Sequence, residues 1–266
     1  PALWQQPVMA KYLPPGRSQS RNPTRISISE ICSSGAKADS ESRMRGVEMS
    51  EKVHPLKVVS LLLQYPQQAE VEALRGLDQD DIGPISADGR ANLGSFLEWY
   101  RAQSLDQLRE SYVDNFDFDR RHSLHLTYQL HGDSRQRGLA LLKIKNVYRD
   151  AGLVPAEGEL PDYLPLMLEF AVLAPAPAGR ELLDRYRESL ELIRAGLKDA
   201  ESPWAGLFDV VRDGMPGLTR RQVNRIKRLA EEGPPSEEVG MEPFAPPEVM
   251  PNHAGEVPLP LIGGRG

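Results

Sequence analysis

Tyr112-Val113-Asp114-Asn115-Phe116-Asp117-Phe118-Asp119, Leu124-His125-Leu126-Thr127-Tyr128-Gln129-Leu130-His131-Gly132-Asp133-Ser134-Arg135-Gln136-Arg137-Gly138 and Glu159-Leu160-Pro161-Asp162-Tyr163-Leu164-Pro165-Leu166-Met167-Leu168-Glu169-Phe170 are the three blocks around which this chain is organised. Their apolar residues recur at three and four rather than at two, which is the period of a helix face. Asp119 reads as the N-cap of a helix carrying Leu124, Tyr128 and His131, and Gly132 breaks it. Asp133 with Gln136 then reads as a capping-box start for a long helix through Ala140, Ile144, Val147, Tyr148 and Ala151. Gly152 followed by Val154-Pro155 stops it. Asp162 is expected to cap the next helix, where Pro165 falls early enough to be tolerated. Leu164, Leu168 and Ala171 form its apolar stripe.

The same period extends outward in both directions. Leu56, Val59, Leu62 and Leu63 predict a helix from Pro55 that halts at Tyr65-Pro66. Glu70 to Gly76 is a short charged helix, and a Gly/Asp/Pro loop follows to Gly89. Helices are predicted over Asn92 to Ala102 and from Ser104 or Leu105 through Tyr112. On the C-terminal side, Arg180 to Ala200 reads as one long amphipathic helix bearing Leu183, Tyr186, Leu190, Ile193 and Leu197. Trp204 to Val211 and the basic segment Thr219 to Ala230 complete the set. No sustained alternation and no Gly-punctuated strand-helix-strand unit occurs, so the fold class is all-α, a single-domain bundle of roughly eight helices. Residues 53–232 form that domain. Residues 1–48, poor in apolar periodicity, read as a disordered leader with Met44 or Met49 as candidate natural starts, and 233–266 as an acidic, Pro-rich tail.

Charge and composition exclude several functions. The formal net charge is −6; residues 1–48 carry 7 basic and 4 acidic side chains, residues 233–266 carry 1 and 5, and the remaining 49–232 therefore hold −5. A moderately acidic core has no broad basic footprint for nucleic acid or anionic membrane. Cys32 is the single cysteine, which rules out an internal disulfide framework and fits a reducing cytoplasm. The longest apolar run, Val58 to Leu63, is far short of the roughly 18 residues of a membrane span.

The polar residues of the three blocks invite a catalytic reading. His122, His125 and His131 with Asp117, Asp119 and Asp133 are suitable metal ligands by type. Spacings of three and six, however, do not bring three histidines to one face of a straight helix, and surface histidines satisfied by local bonds are the more common outcome. No Gly-x-Ser-x-Gly elbow or phosphate-binding glycine pattern is present. Asp162 and Glu169, seven apart, share a face, yet capping and ion pairing explain them more simply. Arg135 and Arg137 beside Asp133 suit either local pairing or an anion or partner backbone. Read from residues alone, the chain is a helical domain without a credible catalytic set, which favours a binding module.

Tyr112-x3-Phe116-Asp117, Leu124-x-Leu126-Thr127-Tyr128-x2-His131-Gly132-Asp133-x-Arg135-x-Arg137-Gly138 and Glu159-Leu160-Pro161-Asp162-x-Leu164-Pro165-x2-Leu168-Glu169-Phe170 resemble, in that order, the assembly chaperones of respiratory nitrate reductase, the NarJ or delta-subunit family. The resemblance covers residues 53 to 210. It implies a cytoplasmic chaperone that is not an enzyme. Such a protein binds the N-terminal segment of the nitrate reductase alpha subunit and promotes molybdenum cofactor insertion before membrane attachment. No cofactor is held stably by the chaperone itself; the client receives bis-molybdopterin guanine dinucleotide, and cofactor delivery proteins are further partners. The wider family carries Asp-His where this chain has Asp162-Tyr163. On this reading Tyr128, Tyr163 and Phe170 contribute an apolar groove, and His131, Asp133, Arg135, Asp162 and Glu169 its polar rim. The alternatives are a metal-dependent helical hydrolase using His122, His125 and His131, or a permanent structural subunit of the reductase.

Overall fold

The fold, taken from a computed structural model, is described for residues 9–11, 52–156 and 158–233. The rest of the expected leader and the tail beyond 233 lie outside the described residues. Eleven α-helices occur among them: α1 Pro55–Leu62, α2 Gln68–Arg75, α3 Ala87–Ala102, α4 Leu105–Tyr112, α5 Leu126–His131, α6 Arg135–Asp150, α7 Leu164–Leu173, α8 Ala178–Arg185, α9 Arg187–Asp199, α10 Ala205–Val211 and α11 Arg220–Glu232. The domain is all-helical, as the periodicity predicts. Among the described residues the one sheet is an antiparallel pair, β1 (Met9–Lys11) with β2 (Leu153–Pro155), in which Met9 faces Pro155.

Helix α7 is the axle of the bundle. Every residue from Leu164 to Phe170 is buried, so the helix is enclosed on all sides rather than presenting the single stripe read from Leu164, Leu168 and Ala171. Helix α1 packs along it, with the Ser60 hydroxyl donating to the Pro165 carbonyl at 2.8 Å and Lys57 Nζ to Glu169 Oε1 at 2.6 Å. A second centre forms around Trp204, which is fully buried. Phe96, Trp99, Tyr112 and Phe116 surround its ring at centroid distances of 5.2 to 5.9 Å, and its indole N–H donates to Ser111 Oγ at 3.0 Å. Each such ring removes on the order of 150–250 Å² from water, so this cluster fixes α3, α4 and α10 together.

Three boundaries differ from the sequence reading. Helix α3 begins at Ala87 rather than Asn92, because the Ser86 hydroxyl accepts from the Gly89 amide and starts the helix inside the expected loop. The segment read as one helix from Arg180 to Ala200 is two, broken at Tyr186, where the Tyr186 amide bonds back to Leu183 at 3.1 Å in a tightened turn. That tightened turn lets α8 follow α7 while α9 runs beside α5 and α10. Finally, α4 passes directly into a π turn over Val113–Asp117, closed by the Phe118 amide on the Val113 carbonyl at 3.2 Å. Phe116 is thereby buried while Phe118 is left 78% exposed.

Candidate functional site

The three sequence blocks converge at the joint between α5 and the start of α7. The backbones pair there as a short antiparallel bridge, His125 opposite Tyr163. The Leu126 amide donates to the Asp162 carbonyl at 3.0 Å, and the Leu164 amide to the Leu124 carbonyl at 2.8 Å.

Asp162 is fully buried and does not cap its own helix, whose N-cap is Tyr163 without a side-chain bond. Its carboxylate reaches α5 instead: Oδ2 accepts from the Thr127 amide at 3.2 Å and from the Thr127 hydroxyl, and Oδ1 is 3.1 Å from His125 Nδ1. The Thr127 hydroxyl in turn accepts from Arg137 Nε at 3.3 Å, and Arg137 Nη2 stands 3.9 Å from the Asp162 carboxylate. Burial pushes the Asp162 carboxyl upward. The His125 and Thr127 hydrogen bonds and the His125 and Arg137 charges outweigh it and hold the group below the ordinary carboxylate range.

Asp119 likewise differs from its expected role. It caps a single 3₁₀ turn, Arg120–His122, by accepting from the Arg121 amide at 2.9 Å, and α5 starts four residues after that turn closes. Nor does Asp133 start α6. The N-cap is Ser134, without a side-chain bond, and Asp133 pairs with Arg137 Nη1 at 3.4 Å. Gly132 does make the corner, at φ +55°, a conformation that glycine adopts without strain.

On the outer side of this joint lies an open cavity of about 260 Å³, lined by Phe116, Asp117, Arg120, Ser123, His125, Tyr128, Asp133 and Arg137. The Arg137 guanidinium sits over the Tyr128 ring at 5.5 Å. Behind the cavity the Tyr163 ring packs on His125 at 5.5 Å, and the Tyr163 hydroxyl is 3.4 Å from that of Tyr112. Burial, reinforced by the charges of Glu159 and Asp117, pushes Tyr163 up to about 12.

Of the eight residues expected to bind a partner, Tyr128 and Asp133 line this cavity, with Tyr163 and Asp162 bracing it from behind. Glu169 and Phe170 are elsewhere and are not a rim or groove: Glu169 is 2% exposed and paired with Lys57, and Phe170 is enclosed against Tyr148 at 4.6 Å. Both lie on α7, which is buried all round. His131, half-buried, looks toward basic groups. Partial burial and the Arg225 and Lys143 charges hold its imidazole below the ordinary value. Arg135 is exposed on the first turn of α6. The sequence reading missed His125, Arg120 and Phe116 as lining groups. His125 was legible only through its position two residues before Thr127, once Thr127 is known to meet Asp162.

The three histidines make three separate kinds of contact. His122 is buried and donates from Nδ1 to the Asn115 carbonyl at 3.0 Å, while His125 meets Asp162 and His131 faces α6 and α11. Among the described residues no group of three or more His, Cys, Asp and Glu is placed to hold a metal ion. No helix among them is long and apolar enough to cross a membrane.

A helical bundle whose buried polar network props up one small, mixed-polarity cavity defines an all-α binding scaffold. Residues 84–209 match the family model described as nitrate reductase delta subunit. The chain is 36% identical over 167 residues to the probable nitrate reductase molybdenum cofactor assembly chaperone NarJ of Bacillus subtilis, covering 62% of this chain and 89% of that protein. It is 34% identical over 166 residues to the nitrate reductase molybdenum cofactor assembly chaperone NarJ of Escherichia coli K12, covering 59% and 67%. A nitrate reductase-like protein NarX of Mycobacterium tuberculosis is 34% identical over 146 residues, which span 55% of this chain and 22% of that protein. The chain belongs to the nitrate reductase delta subunit (NarJ) family.

Proposed function

We propose that this protein is a cytoplasmic assembly chaperone for respiratory nitrate reductase, without catalytic activity of its own. It binds the N-terminal segment of the alpha subunit and keeps that subunit open for insertion of the molybdenum cofactor before membrane attachment. The observation that carries the reading is the cavity beside α5, six of whose eight lining residues come from the first two blocks that bear the family resemblance, with Asp162 and Tyr163 of the third bracing it from behind. Its floor is rigid because Asp162 is held from three sides, and its walls offer both signs of charge, Arg120 and Arg137 against Asp117 and Asp133. Phe118, next in sequence to the lining residue Asp117, supplies an exposed aromatic anchor of the kind that dominates peptide affinity. An amphipathic client segment would seat an apolar side chain against Phe118 and Phe116 and match its polar groups to the charged walls. Tyr128 and Asp133 touch the client; Asp162, Tyr163 and His125 position the wall.

Calorimetry with a peptide matching the alpha subunit's N-terminus tests this directly. Saturable one-to-one binding is expected, together with capture of the alpha subunit from cytosol in a cofactor-poor state. Absence of binding by the folded protein, or capture only of the mature membrane complex at fixed stoichiometry, would reject it.

A further inference from the structure

A second cavity, of about 310 Å³, lies where the start of α1, the loop before α3, the ends of α7 and α10, and α8 meet. It shares no lining residue with the client cavity. Its apolar walls come from Pro55, Leu56, Pro84, Ile85, Ala171 and Val210, and its polar groups are His54, Arg180 and Asp213.

Hydrogen bonding fixes what each polar group can offer. His54 Nδ1 accepts from the Leu56 amide at 3.1 Å, so the neutral ring carries its proton on Nε2, which is then a donor. Partial burial and the Arg180 charge hold His54 below the ordinary imidazole value, in the neutral form. Asp213 Oδ2 accepts from the Ser86 amide at 2.9 Å, and it is the Asp213 backbone carbonyl, not its carboxylate, that accepts from Arg180 Nη2. Arg180 thus has a carbonyl partner but forms no ion pair with any carboxylate among the described residues. The Arg180 guanidinium, without a carboxylate at ion-pair distance, and the neutral His54 imidazole N–H both offer donors among six apolar side chains, while the Asp213 carboxylate is engaged by the Ser86 amide. Guanidinium pairs most strongly with a bidentate oxyanion.

We propose that this cavity binds a carboxylate borne on a short hydrocarbon group, with Arg180 and His54 Nε2 taking the oxygens and Leu56, Ile85 and Val210 the hydrocarbon. A free organic acid and a protein glutamate side chain share that chemistry.

The test is titration of the full chain at neutral pH with isovalerate, followed by the His54 imidazole resonances. Saturable shifts are expected with a dissociation constant on the order of 1 mM, fitting for so few atoms. Isovaleramide, of the same shape without charge, should bind at least about tenfold more weakly, as should the Arg180→Gln variant, with Arg180→Lys intermediate. Inorganic phosphate should also bind more weakly, having no apolar body. Equal binding of the amide or of phosphate, or unchanged binding by a folded Arg180→Gln variant, would overturn the proposal. The amide comparison uses the unaltered protein and decides the matter even if Arg180→Gln does not fold. A short capped peptide bearing one Glu separates the two sources: tighter binding than isovalerate assigns the site to a protein side chain, weaker binding to a free acid.

Discussion

Gly179 on α8 rests directly on the backbone of Ala171 on α7: a Cβ built on Gly179 would overlap the Ala171 Cα and stand 3.0 Å from its carbonyl oxygen. Neither atom belongs to a side chain that can swing aside. Gly179→Ala should therefore destabilise the domain by about 3 kcal/mol, the upper end of overpacking costs. Gly138 on α6 has nothing within 4 Å of such a Cβ. Gly138→Ala should stabilise by up to about 1 kcal/mol through helix propensity alone. Urea midpoints of the two variants should move in opposite directions; a shift of the same sign in both would contradict the packing described.

Asp162 joins α5 to α7 by accepting from Thr127 and meeting His125, with no exposure to water. Asp162→Asn keeps the shape but places an amide donor against donors. A loss of about 3 kcal/mol is expected, as for a buried pair that loses one partner. Thr127→Val, which removes one hydroxyl, should cost about 1–2 kcal/mol. Denaturant unfolding measures both, and a cost of Asp162→Asn below that of Thr127→Val would contradict the ranking.

The same residue sets an acid limit. Its folded carboxyl is held below the ordinary range, so the stability it contributes is complete above the unfolded value of about 3.9 and is lost as pH falls through the lower folded value. The stability gap between the native chain and Asp162→Asn should thus narrow as pH falls below about 3.9. A gap that stays constant under strong acid would mean the buried group is not charged.

Phe118→Ala should leave the unfolding midpoint unchanged, since the ring is 78% exposed. Loss of such an aromatic anchor should nonetheless weaken binding of the alpha-subunit peptide by roughly tenfold or more. Asp133→Asn, at an exposed wall position, should weaken binding with a similarly small effect on stability. Calorimetry beside thermal unfolding separates the two readouts, and unaltered affinity in both variants would move the client away from this cavity.

Much of the fold was legible in apolar periodicity and in breakers such as Pro66, Gly132 and Gly152. What was missed depended on contacts distant in sequence. Asp119, Asp133 and Asp162 each resemble local caps by position. Only the fold decides that Asp133 turns to Arg137 and that Asp162 serves a helix 35 residues earlier. The break at Tyr186 carries no Gly or Pro and follows from α8 and α9 having different neighbours. Glu169 was expected as an ion-paired or rim group; the ion pair is there, but with Lys57 from α1 and inside the bundle. Of the residues expected to bind a partner, Tyr128 and Asp133 fall on one cavity, brought there by the Gly132 corner between them.

Helix α5 spans six residues, well below the ~12–15 at which a helix becomes even marginal by itself in water. Its first-turn amide finds its acceptor only when residue 162 has returned to residue 127, so the element cannot nucleate locally. It must condense late, after the loop between them has closed. The α5 wall of the cavity lined by Tyr128 and Asp133 is consequently the part of the domain whose integrity is borrowed from elsewhere in the chain. Loss of the Asp162 contacts would therefore reach this wall through α5 before it reached α7, whose residues Leu164 to Phe170 are buried by their own neighbours.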